Sequence, residues 1–99
     1  MDLNDPKQVK KQEIKEEIGR ERELKDIRFI LSDPRGRRFF WRLLGELKTY
    51  ESIFEQSSKI YYNSGRQDVG HFLMNEITQA DPEQYLNMVN EAQKENANA

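Results

Sequence analysis

Two Asp-Pro steps, Asp33-Pro34 and Asp81-Pro82, constrain this chain more than any other feature. A proline disfavours helical geometry in the residue before it, so a helix arriving there must stop. The same pair restarts a helix, because the aspartate caps free backbone N–H groups and proline suits the first helical position. Around these punctuation marks the apolar residues recur at helical spacing. Leu24, Ile27, Ile30 and Leu31 form one stripe before Ser32-Asp33-Pro34, with Phe29 beside it and expected to widen it. Phe40, Leu43, Leu44 and Leu47 form the next, flanked by Phe39 and Trp41, and the helix over Arg35 to Lys48 is the expected centre of the core. Val69, Phe72, Leu73 and Ile77 give a third face, and Tyr85, Leu86, Met88 and Val89 a last short helix.

Strand-type alternation is absent, so the expected fold is all-α, a small domain of about four helices over residues 21–93. Its predicted core is Ile27, Ile30, Phe40, Leu43, Leu44, Leu47, Val69, Phe72, Leu73 and Ile77. Residues 49–62 read as a partly helical connector that lays Phe54 and Tyr61 on that core, followed by a turn or helix start at Asn63-Ser64-Gly65. Residues 1–20 read as a charged helical arm with one thin apolar stripe at Ile14 and Ile18, and Gly19 marks a weak point behind it. Residues 94–99 are expected to fray.

Composition narrows the class. Of 99 residues, 34% are charged and the mean hydropathy is −1.00, while Leu, Ile, Val and Phe number 23, enough for one modest core. No apolar run is long enough to span a bilayer, and the acidic N-terminus lacks the apolar stretch of a secretory signal. With no cysteine, disulfides, thiolate metal sites and cysteine nucleophiles are excluded. The net charge of −2 conceals an asymmetry: residues 1–30 balance, 31–48 carry +3 and 49–99 carry −5. Such a dipolar chain suits pairing within the fold or between copies.

Signatures of catalysis are missing. His71, the single histidine, lies beside an apolar stripe and is expected to bond Asp68 or backbone. Gly65 to Gly70 spaces two glycines without the Lys-Ser/Thr of a phosphate loop. No set of ligand residues points to a metal or other cofactor, so none is expected. The sharper feature is Arg35-Gly36-Arg37-Arg38-Phe39-Phe40-Trp41-Arg42. Arginines interleaved with aromatics can grip phosphates and stack on bases. They can equally pair with the acidic C-terminal half, their stems covering the core edge, which is the favoured reading because the −5 segment would repel nucleic acid. Arg66, isolated among acidic and polar residues, is a candidate for one bidentate salt bridge.

The stretch Phe29-Ile30-Leu31-Ser32-Asp33-Pro34-Arg35-Gly36-Arg37-Arg38, with Trp41-Arg42-Leu43-Leu44, resembles the opening of a small tailed-phage domain. That domain family is named after a protein of a Bordetella podophage. Its second block is similar to Tyr62-Asn63-Ser64-Gly65-Arg66-Gln67-Asp68-Val69-Gly70 with Leu73, and its close to Pro82-Glu83-Gln84-Tyr85 with Met88 and Glu91. The resemblance covers about residues 27–92 and leaves the arm outside. It implies a phage structural or assembly protein, encoded near portal and capsid genes, from a family with no assigned enzymatic activity. The two glycine–arginine elements are expected to mark tight turns or contacts.

The leading expectation is therefore a small virion component, present in multiple copies, that binds the portal, tail or internal ejection proteins. It would reside in the virion, and in host cytoplasm during assembly, with no membrane contact. The alternatives are a transient scaffold or chaperone, and a DNA-binding accessory protein using the arginine–aromatic helix. Partner or salt-bridge contacts are expected at Arg35, Arg37, Arg38, Arg42 and Arg66.

Overall fold

All three prolines of the chain stand at the first position of a helix behind an aspartate. In the computed structural model, which describes residues 5–98, α1 spans Pro6–Leu31, α2 Pro34–Glu46, α3 Lys59–Ala80 and α4 Pro82–Asn98. Asp5 accepts from the Lys7 N–H at 3.0 Å, Asp33 from Arg35 at 2.8 Å and Asp81 from Gln84 at 3.2 Å. Each side chain satisfies a donor that the helix start leaves free. The structure is all-α, as the spacing predicts, and no strand occurs among the described residues.

Three elements differ in extent from the sequence reading. α1 runs without a break through Gly19, so arm and first core helix are one 26-residue helix. α3 begins at Lys59, which places Tyr61 through Gly65 in its first turns rather than in a turn before it. α4 continues to Asn98, with residues 94–98 exposed. Residues 1–4 of the arm and 99 of the tail lie outside the described residues.

The helices lie side by side in a thin slab whose Cα extents are 58 × 38 × 15 Å. α1 packs on α3 and α2 on α4. Leu31, Leu44, Ile77 and Met88 are fully buried where the four meet, with Phe40 and Ala80 beside them. Of the predicted core, Ile27, Leu43, Leu47 and Leu73 are half-buried.

Val69, Phe72 and Ile30 are corrections: they are 54%, 63% and 37% exposed. The packing face of α3 is Arg66, Gly70, Leu73, Ile77 and Ala80, so Val69 and Phe72 fall on its flank. Glycine is required at position 70 because the Leu47 and Thr49 side chains at the end of α2 come close there. A Cβ on Gly70 would overlap the Thr49 hydroxyl, and one on Gly36 would overlap the Ile30 carbonyl as α2 crosses the end of α1. The expectation of close contacts at the glycine–arginine elements thus holds at Gly36 and Gly70, whereas Gly65 has open space around it. Phe54 and Tyr61, expected on the core, are each 79% exposed; Ile53 and Ile60 are the half-buried hydrophobic residues of that region. Phe29, expected to widen the core stripe of α1, points away from it and is also exposed.

Truncating Leu44 or Ile77 to alanine should therefore cost about 2–5 kcal/mol in a urea titration, as expected for a buried aliphatic side chain. Phe72→Ala should change the same measurement by less than about 1 kcal/mol. Equal losses at Phe72 and Ile77 would contradict this face assignment.

Candidate functional site

A helix leaves its last carbonyls without partners. In this slab the last carbonyls of α1, α2 and α3 are each met by side chains from another helix. At the end of α1, Arg37 of α2 donates from Nη1 to the Leu31 carbonyl at 2.7 Å. Its Nε and Nη2 reach the Glu91 carboxylate of α4, the shorter contact being 2.8 Å. Arg37 is only 8% exposed, so one buried cation ties three helices. At the end of α3, the Ala80 carbonyl accepts from Arg28 Nε of α1 at 2.8 Å.

The end of α2 is the most elaborate. The chain turns out of it through Lys48, at a positive φ of 54°, and Thr49 folds its hydroxyl back on the Leu44 carbonyl. α3 then closes the turn. Arg66 donates to the Glu46 carbonyl, and Gln67 to those of Lys48 at 2.9 Å and Glu51 at 2.8 Å. His71 Nε2 lies 3.2 Å from the Thr49 carbonyl. Gly70 allows the approach. The run Arg66-Gln67-Asp68-Val69-Gly70-His71 is thus a turn-binding element, and His71 takes the backbone partner open to it in the sequence reading.

The arginines marked from the sequence separate accordingly. Arg37 pairs with the acidic C-terminal half. Arg35 folds onto Asp33 at 2.7 Å. Arg42 stands 5.7 Å over the Phe39 ring. Arg38 has no ion-pair partner among the described residues. Arg66 is a correction: it makes no carboxylate pair among the described residues but bonds the Glu46 carbonyl and lies 5.5 Å over Tyr62, because the acceptor within its reach is a helix end. Sequence reasoning missed Arg20 and Arg28, which join α1 to α3; Arg20 contacts Glu76 at 2.7 Å and Gln79 at 2.7 Å. A signal for both existed, since each shares the helical face of Leu24, Ile27 and Leu31.

Between α2 and α4 a groove of about 470 Å³ opens. Trp41, Met88 and Ala92 line it together with Arg38, Arg42 and Lys94. Tyr50 closes the neighbouring corner, stacked on Trp41 at 5.6 Å and bonded to the Tyr85 hydroxyl at 2.5 Å. Burial, then the bond to Tyr85, pushes the Tyr50 phenol above its ordinary pKa. No group of three or more His, Asp or Glu side chains converges as a metal site among the described residues.

Two measurements follow from these contacts. Glu91→Ala leaves Arg37 without its carboxylate and should cost about 1–3 kcal/mol, more than loss of an exposed pair. At Asp33, the Arg35 guanidinium and then the Arg35 backbone N–H hold the carboxyl well below the usual carboxylate range. A depressed folded-state pKa contributes stability above about pH 4 and loses it as pH falls toward the folded value. The difference in melting temperature between the natural chain and Asp33→Asn should therefore shrink below about pH 4. A constant difference down to about pH 2 would refute the linkage.

Comparison with known proteins adds one finding. The model of the Bbp19-like phage protein family matches residues 27–90, from the last turns of α1 into α4. No curated protein and no solved structure matches. The matched span holds both close-packed glycines, Arg37 and the whole turn-binding element, while the arm lies outside it. The chain belongs to the Bbp19-like phage protein family and is a bacteriophage protein.

Proposed function

We propose that this phage protein is a small, non-enzymatic virion component that binds the portal, tail or internal ejection apparatus in multiple copies. The carrying observation is its surface. A compact monomer of 11.8 kDa exposes about 5,900 Å². This chain exposes 7745 Å². The excess, about 1,800 Å², is roughly twice the ~800 Å² that one partner contributes to a stable protein–protein interface. It includes Phe29, Phe54, Tyr61, Tyr62, Phe72 and Leu86, each more than 60% exposed. Exposed aromatics in such number mark interaction surfaces. A thin slab leaves these residues for neighbours to cover, and a virion supplies neighbours in repeated copies.

The arginines weigh against DNA as the main partner. Arg37, Arg35 and Arg66 are spent on Glu91, Asp33 and the Glu46 carbonyl, which leaves Arg38 and Arg42 beside the groove.

Mass spectrometry of gradient-purified mature particles beside procapsids, quantified against the portal protein, tests the reading. A fixed ratio to the portal in mature particles is expected. Presence in procapsids alone would replace the proposal with a transient scaffold or chaperone, and absence from both would end it.

A further inference from the structure

The outer edge of α1 carries a second seam that its packing on α3 does not use. Lys11, Ile14, Ile18, Glu21 and Lys25 recur at spacings of 3, 4, 3 and 4, the heptad rhythm of a coiled-coil contact. Leu24, Ile27 and Leu31, which pack inward, lie on another face of the same helix. From Pro6 to Ile18 every residue but Gln12 is exposed, and Arg20 makes the first hydrogen bond from α1 to another helix. Ile14 is 48% and Ile18 61% exposed, and a shallow groove lined by Ile18, Glu21, Arg22 and Lys25 runs beside them. A lone helical projection of this length is marginal in water without a packing partner.

The charges select what fits the seam. In a parallel pair of α1 helices each layer meets its own kind: Lys11 faces Lys11, Glu21 faces Glu21 and Lys25 faces Lys25. In an antiparallel pair the layers that meet have residue numbers summing to about 32. Ile14 of one copy then packs on Ile18 of the other, and Lys11 meets Glu21, each twice by symmetry. Only the outermost layer, Lys7 against Lys25, stays like-charged, at exposed ends. The seam is thus self-complementary in one orientation. We infer that a second copy of this chain pairs with the first through the outer edge of α1, antiparallel, with Ile14 and Ile18 interleaved between two Lys11–Glu21 ion pairs.

The inference deepens the multi-copy part of the proposed function. It is tested on purified full-length protein, so its failure is distinct from absence of the protein from particles. Because the chain has no cysteine, Ile14→Cys and Ile18→Cys introduce single thiols at exposed positions. Mixed under mild oxidation, the two variants should form a disulfide-linked dimer, while each alone should remain largely uncrosslinked. Self-crosslinking of either variant as efficient as the mixture would overturn the antiparallel seam. So would a natural chain that sedimentation shows to be monomeric at all concentrations, or one that dimerises without crosslinking in the mixture. In sedimentation equilibrium, Glu21→Lys should weaken dimerisation about tenfold by setting lysine against lysine twice. Adding Lys11→Glu should restore it. Failure of the double variant to recover would show that the loss arose elsewhere, such as from the Glu21–Arg28 pair, and would reject the Lys11–Glu21 contact.

Discussion

The buried guanidinium of Arg37 sets the geometry on which the rest of the slab depends. Removing a cation from water is costly, and the cost is met only when its donors find matched acceptors. Here the Glu91 carboxylate and the Leu31 carbonyl provide them, one from α4 and one from the negative end of the α1 dipole. The result fixes the end of α1, the first turns of α2 and a face of α4 at one point. Arg28 on the Ala80 carbonyl and Arg66 with Gln67 on the end of α2 repeat the device. With only four large side chains fully buried among the described residues, apolar burial favours collapse but does not by itself choose one flat arrangement. Directional bonds at the helix ends make that choice.

The same logic explains why the two close-packed glycines sit where they do. A side chain that caps a neighbouring helix must bring two backbones together. Gly36 stands one residue before Arg37, and Gly70 stands between Gln67 and His71. In each case a Cβ would occupy space that the capped element already fills. Gly19 and Gly65 have nothing within reach, so no packing argument attaches to them.

Element boundaries at Asp33-Pro34 and Asp81-Pro82 were legible because their mechanism is local, confined to a cap and a proline ring. The centrality of α2 was legible too, since Phe40 and Leu44 are large and correctly spaced. The face of α3 was not. Its inward residues include Arg66, Gly70 and Ala80, which carry no hydrophobic signal, whereas Val69 and Phe72 carry a strong one and lie outside. A hydrophobic period identifies an apolar stripe but does not tell a core stripe from one reserved for a partner. At the site, pairing of Arg37 with the acidic half followed from charge balance. The partner of Arg66 did not, because a helix-end carbonyl has no sequence signature.

The boundary of the family match divides the molecule along a physical line. It begins at Ile27, the point where α1 starts to serve the junction with Leu31 and Ala80, and it ends beside the Glu91 that neutralises Arg37. Within it lie the capped helix ends and the glycines they require. Outside it lies most of α1, whose charged faces make few demands on the slab. Yet α1 is one continuous helix, so the arm is not free to choose its direction. Arg20 against Glu76 and Gln79, with Arg28 at Ala80, fixes the helix on α3. Any partner that engages the arm therefore meets the aromatic surface of the slab at a set distance and angle. A rigid lever of this kind suits a protein whose neighbours in an assembly must be held in register.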